Sequence, residues 1–266
     1  MPDSTIAFDD GAAYENFMAR WSRSIGTVFL DWLAVPRDQK WLEIGCGTGV
    51  FTKLVLERCS PNALTAVDSA AAQVDHARNA IGAQCVDIRV CDAQALPFAE
   101  SCFDIVASGL VINFIPLPAL ALAEMRRVCR PGGYIAGYVW DFAGERSSAW
   151  PLRQGFRYIG IEPPRIPGAD ETGADALELA FRNVGLEDIA VTSIDVTVRF
   201  SDFVDYWRSQ TPVFTPQGKA VAALNDHDRS RLVEAVRTAL PAGRDGAITY
   251  TARANAIKAR RSWQSR

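Results

Sequence analysis

Glu43, Asp68 and Asp92 each close a short apolar run, and the first of them opens at once into Gly45-Cys46-Gly47-Thr48-Gly49. Glycines at this spacing turn a strand into a helix and leave bare backbone, because no Cβ blocks a ligand lying against the chain and positive φ is tolerated. A carboxylate beside such a loop repels a pyrophosphate or triphosphate and attracts a ligand carrying an ammonium group. Asp68, after Leu64-Thr-Ala-Val67, is placed to bind both hydroxyls of a ribose. Asp92, after the run Val86 to Val90 and Cys91, can accept from the exocyclic amine of an adenine.

The glycine spacing argues against two commoner nucleotide sites. Gly45-x-Gly47-x-Gly49 lacks the two-residue gap of Gly-x-Gly-x-x-Gly, and no Gly-Lys-Ser/Thr follows to form a phosphate-binding loop. A nicotinamide-dependent oxidoreductase would need that gap and a proton donor near the nicotinamide. It stays as an alternative, as does a catalytically silent cofactor-binding protein.

The elements that must position these acids are legible as alternating runs. Trp41 to Ile44, Leu64 to Asp68, Val86 to Val90, Phe103 to Ser108 and Tyr134 to Val139 are strand-like, the last following the turn Arg130-Pro131-Gly132-Gly133. Helices are predicted over Val50 to Glu57, from Asp68 onward, and over Leu117 to Val128, where Pro118 starts the helix and Ala121, Met125 and Val128 share a side. Alternation of this kind predicts an α/β fold: a mostly parallel sheet with its ligand crevice beyond the carboxyl ends of the strands.

The ordered set resembles the class I S-adenosylmethionine-dependent methyltransferases, particularly the small-molecule branch that includes the quinone-biosynthesis C-methyltransferases. The resemblance covers Tyr14 to Val139 well and the remainder more loosely. Glu43 to Gly49 matches the first motif, Asp68 the ribose acid and Asp92-Ala93 the adenine-side pair, with Leu96-Pro97-Phe98 and Phe103-Asp104 leading into strand four. The resemblance implies a Rossmann-like seven-stranded, mostly parallel sheet with helices on both faces, strand seven antiparallel beside strand five, and helical or aromatic lid insertions. It implies S-adenosyl-L-methionine as cofactor, held by Tyr14, Arg20, Glu43, Gly45, Cys46, Gly47, Gly49, Asp68, Ser69, Asp92, Ala93, Gln94 and Ser108. In that picture the N-terminal segment covers the cofactor, and Arg20 either pairs with its carboxylate or is a surface arginine beside Glu15 or Asp31.

A sulfonium methyl group is already activated, so transfer depends on in-line positioning and exclusion of water more than on a covalent intermediate. Neither His76 nor His227 has a compelling placement. Asp141, just past strand five, is the candidate base, and Asn113, after strand four, the candidate for orienting the acceptor. Ser108-Gly109-Leu110-Val111 departs from the Asn/Asp-Pro-Pro-aromatic motif of the nucleic-acid amino-methylating enzymes, so a nucleobase acceptor is disfavoured.

Bulk properties bound the rest. With 266 residues and 48% hydrophobic content the chain suits one methyltransferase domain: an N-terminal helical cover over 1–36, a cofactor-binding core over 40–139, and substrate-side insertions over 140–170 and 201–246. The aromatics of the insertions either line a flat acceptor or pack the lid. Gly185 ends a helix over Ala174 to Asn183, Asp188 to Phe200 reads as strand six, and Gly246 to Asn255 as strand seven. Net charge is −3 and the basic cluster Lys258 to Arg266 reads as a solvated end, so no nucleic-acid partner is expected. Six cysteines without metal-ligand spacing predict no metal site and a reducing, cytoplasmic setting. Acidic residues near the N-terminus do not fit a signal peptide, and no run is long enough to span a bilayer. The expected partners are a small-molecule acceptor and, as the commonest soluble assembly, a second copy in a homodimer.

Overall fold

The computed structural model describes residues 11–82, 86–213, 215–240 and 242–263, with side chains from residue 20 onward. Seven strands form one sheet: β1 (Lys40–Ile44), β2 (Ala63–Asp68), β3 (Val86–Val90), β4 (Phe103–Gly109), β5 (Cys129–Trp140), β6 (Leu186–Phe200) and β7 (Ile248–Arg261). Their order is β3-β2-β1-β4-β5-β7-β6. β1 to β5 pair in parallel, and β7 runs antiparallel to both β5 and β6. The chain winds outward from β1 to β3 and then returns to β4, so β1 and β4 flank the switch point at which such sheets open a crevice.

Alternation along the strands divides the core in two. Trp41, Leu64, Ile105 and Ala107 face α1 (Gly11–Leu33) and α2 (Val50–Cys59), and α3 (Ala71–Ile81) packs on Ala66 and Ile88. Leu42, Ile44, Val67 and Val106 face the opposite way, onto α4 (Pro118–Val128) and α6 (Ala174–Asn183). Each helix buries one stripe, as with Ala121, Leu122, Met125 and Val128 of α4. In α1 the buried stripe is Trp21, Ile25, Phe29, Leu30 and Leu33, while Val28 is exposed. Phe29 packs on Tyr138 of β5 with ring centroids 4.8 Å apart, and Trp21 meets Trp140 edge-on at 5.6 Å.

Both insertions belong to the core more than to a lid. α5 (Trp150–Tyr158) lies so close to α9 (Asp226–Ala239) that a Cβ on Gly155 would stand 2.6 Å from a Val236 methyl. Phe156 and Trp140 are buried among the same apolar residues. α7 (Phe203–Gln210), capped by the Asp202 carboxylate on the Asp205 N–H, sends Phe203 and Tyr206 inward against Phe200, and α8 (Pro216–Ala222) adds Val221. Trp140, Phe156, Phe203 and Tyr206 therefore pack the fold, because large rings gain most from full burial, whereas Tyr158 is 79% exposed. Phe214 lies outside the described residues.

Two sequence expectations are corrected at the lower edge of the sheet. Arg130 to Gly133, expected as a turn before strand five, is a bulge within β5: Phe103 pairs with Cys129 and Ile105 with Tyr134, and Gly132 takes φ +73° as the extra residues loop out. Within the basic C-terminal cluster, Lys258 to Arg261 is not a solvated end but the continuation of β7, and Arg266 lies outside the described residues. The Arg261 guanidinium, 8% exposed, donates to the carbonyls of Arg127 and Cys129 and pairs with Glu100, so its charge is satisfied inside the sheet edge. Lys258 bends its ammonium onto the carbonyl of Trp32 at 2.8 Å and lies over the Trp32 ring. Among the described residues no helix is long and apolar enough to cross a membrane.

Candidate functional site

A cavity of about 960 Å³ opens beyond the carboxyl ends of β1 to β4. Its floor is the glycine loop. Gly45 and Cys46 both donate to the Val67 carbonyl, at 2.7 and 3.0 Å, which ties the end of β1 to β2. Gly45, Gly47 and Gly49 all have positive φ, and Gly49 in the left-handed conformation leads directly into α2. A Cβ on Gly45 would lie 2.4 Å from the Val111 side chain, so the loop has room only for a residue without one.

Three carboxylates reach this floor from neighbouring strands. Glu43 is 1% exposed and its carboxylate accepts from the Thr52 hydroxyl at 2.6 Å. Burial pushes its pKa up to about 7, opposed by that hydroxyl and assisted by the nearby Asp68 charge. Asp68 accepts from the N–H groups of Gly47 and Ala70, each at 2.9 Å. Burial raises its pKa too, while the amides of Ala70, Gly47 and Ser69 pull the other way. Neither acid is spent on an internal ion pair with a described cation. Asp92, at the end of β3, is held by the backbone N–H and side-chain amide of Gln94, whose own carbonyl oxygen accepts from the Leu117 N–H at 3.0 Å. Ser69, Ala93 and Gln94 also line the cavity. So does Cys46, whose thiol burial keeps protonated, far above the ordinary range, which makes it a wall and not a nucleophile. Thr48 adds a buried hydroxyl with no hydrogen-bond partner.

The other end of the cavity is built after β4. Leu110 adopts φ +61°, with its N–H on the Tyr138 carbonyl at 2.7 Å, and this turns the chain so that Val111 covers Gly45. Asn113 follows on a short 3₁₀ turn, 6% exposed, its amide donating to the Pro167 carbonyl at 3.1 Å while its Oδ1 has no partner. Phe114, Ile115, Pro116 and Pro167 make this end apolar, and Glu171 stands there as a fourth carboxylate.

Not every candidate residue reaches the cavity. Arg20 does not: its guanidinium pairs with Asp205 at 2.8 Å and lies over the Phe200 ring, because α7 brings a carboxylate to that turn of α1. Asp141 is 7% exposed and away from the cavity lining; its carboxylate accepts from the Gly144 N–H at 2.8 Å and closes a turn after β5. Ser108 is fully buried in β4 beneath the lining, which begins at Gly109. The side chain of Tyr14 lies outside the described residues. Glu171, Tyr138, Leu110 and Ser22 line the cavity without having been singled out. Glu171 and Tyr138 stand far along the chain from the glycine loop, and only the folding of β5 and the 167–172 segment brings them in.

Glycines that a Cβ would obstruct, an unpartnered Thr48 hydroxyl and carboxylates at three adjacent strand ends fit a nucleoside with a cationic substituent. Residues 42–137 match the model of a methyltransferase domain. A malonyl-[acyl-carrier protein] O-methyltransferase of Serratia marcescens is 33% identical over 162 residues, covering 59% of this chain and 61% of that one. The ubiquinone/menaquinone biosynthesis C-methyltransferase UbiE of Roseobacter denitrificans is 35% identical over 108 residues, 39% of this chain and 43% of its own. Among solved structures, a phosphoethanolamine N-methyltransferase 2 of Haemonchus contortus in complex with S-adenosyl-L-methionine aligns with TM-score 0.59 at 16% identity, over 98% of this chain and 61% of that one. The chain spans about half the length of the curated relatives it matches.

Sheet order, antiparallel β7 and a glycine-floored crevice at the switch point define the class I methyltransferase fold. Residues 42–137 carry a methyltransferase domain on the class I fold, and small-molecule methyltransferases are among the proteins the chain is similar to.

Proposed function

We propose that this chain transfers a methyl group from S-adenosyl-L-methionine to a small, partly apolar acceptor. The observation that carries the reading is the meeting of Glu43, Asp68 and Asp92, from three adjacent strands, around one glycine-floored cavity. Glu43 and the floor would hold the amino acid end, Asp68 the ribose hydroxyls, and Asp92 with Ala93 and Gln94 the adenine. When bound, the cofactor supplies a methyl group activated by a positively charged sulfur. The chain's own contribution is to orient, exclude water and position the acceptor at the Asn113 end. Here Asn113 is the acceptor-side residue, and Asp141 is assigned to the turn that it closes.

The reading treats the chain as one domain working in the cytoplasm on a metabolite. Free cysteines at 46, 59, 91, 102 and 129 suit a reducing compartment. Nucleic acid is disfavoured as acceptor on charge, since the cavity presents carboxylates to a polyanion. Calorimetry with S-adenosylhomocysteine and with NADH tests the reading: binding of the former alone is expected. Tight NADH binding without S-adenosylhomocysteine binding would replace it with an oxidoreductase.

A further inference from the structure

The cavity carries charge of one sign only. Its charged lining residues are Glu43, Asp68, Asp92 and Glu171, and no Lys, Arg or His is among the described residues that line it. Residues 1–19, whose side chains are not described, contain no Lys, Arg or His either. Three of the four carboxylates belong to the cofactor end. Glu171 does not: it shares the far end with Asn113, Phe114, Ile115 and Pro167.

Glu171 is carried on a rigid mount. Thr172, fully buried beside it, accepts through its hydroxyl from the N–H groups of Phe142 and Ala143, at 3.1 and 3.0 Å, and donates to the Ala169 carbonyl at 2.7 Å. Its own carbonyl accepts from the Asn255 amide of β7 at 2.9 Å. The short helical turn Ala169–Thr172 is thereby pinned to the end of β5 and the middle of β7. Gly168, with φ +58°, draws that turn against the Asn113 loop: a Cβ there would stand 2.4 Å from the Asn113 carbonyl oxygen and 2.9 Å from a Glu171 carboxylate oxygen. No described cation pairs with Glu171. The buried Oδ1 of Asn113 is a second acceptor without a donor.

Resting on the methyltransferase reading, we infer that Glu171 and Asn113 select the acceptor: a molecule with an apolar body, no anionic group, and an O–H, N–H or ammonium donor that answers these two oxygens. A carboxylated or phosphorylated acceptor would meet Glu171 and find no described cation; Glu171 is exposed, so solvent screens this repulsion but no opposite charge offsets it. The malonyl group named for one relative is an acid, and the described lining offers it no cationic partner. Apolar walls and a single hydrogen-bonding pole also match how buried ligands are oriented.

Three probes with one ring system test this: 1-naphthylmethylamine, 1-naphthylmethanol and 1-naphthylacetate, titrated by fluorescence into the protein with and without saturating S-adenosylhomocysteine. The amine is expected to bind at least tenfold more tightly than the acetate, with the alcohol between them. E171Q should reduce the preference to within about threefold, and E171R should reverse it, while both variants keep the wild-type unfolding midpoint and S-adenosylhomocysteine affinity. Equal or tighter binding of the acetate to the wild type, an unchanged preference in E171Q, or binding of none of the probes would overturn the inference. Loss of S-adenosylhomocysteine binding in the wild type would instead strike the methyltransferase reading, since the probe preference is measured in its absence as well.

Discussion

The Asp68 carboxylate at the tip of β2 accepts from the Gly47 N–H at 2.9 Å, so the acid that faces the cavity also holds the glycine loop of β1 in shape. A single side chain thus joins two strands' contributions to the site. Asp68→Ala should lower S-adenosylhomocysteine affinity by about 1–3 kcal/mol, the usual cost of orphaned polar partners. It should also speed hydrogen exchange at the Gly47 amide. Unaltered affinity in calorimetry would show that the ribose is held elsewhere.

Glu43 gives the protein a pH dependence with a definite sign. Its folded pKa, about 7, lies above the ordinary carboxylate value of 4.5. The stability this contributes is complete below about 4.5 and is lost as pH rises through about 7, because the buried carboxylate must then be ionised. An ammonium-bearing ligand prefers the ionised form, so S-adenosylhomocysteine affinity should rise over the same window. In E43Q, thermal unfolding between pH 5 and 8 should lose less stability than the wild type, and the affinity should be flat with pH. Superimposable profiles for the two proteins would refute both expectations.

Gly45 lies under Val111 at positive φ, and the two constraints can be separated. Gly45→Ala should destabilise the protein by about 1–3 kcal/mol through strain and overpacking. Adding Val111→Ala should return only the steric share, leaving the backbone share of roughly 1 kcal/mol. Denaturant titrations of the three proteins measure this; full recovery in the double variant would mean that φ is not a constraint there.

Asp141→Asn tests the reassignment of that carboxylate to a turn. Its bond to the Gly144 N–H predicts a loss of about 1 kcal/mol in stability, with cofactor affinity and methyl transfer at wild-type levels. A tenfold fall in transfer at unchanged stability would return Asp141 to the catalytic machinery.

The cofactor end was legible because its signals are local. A strand that ends in an acid and turns through glycines announces itself within nine residues, Trp41 to Gly49, and the next two acids follow runs that read as strands, one nearly continuous in apolar residues and one alternating. The acceptor end has no such signature. Asn113 is a candidate only by its place after strand four, and Glu171 looks like any surface acid; their proximity comes from Thr172 and Asn255 tying the segment before α6 to the end of β5 and the middle of β7. Arg20 and Asp141 each find a partner in a contact that spacing does not reveal: Asp205, 185 residues away, and a turn amide whose geometry depends on where β5 ends.

Sequence alone determined the parallel core, the glycine floor and the three strand-end acids, because hydrophobic period and glycine position act over a few residues and survive any packing around them. Tertiary structure decided the acceptor end, the burial of the insertion aromatics and the length of β7. Those depend on which distant groups satisfy a charge or fill a gap, and only the closed sheet with its packed helices brings such groups within reach.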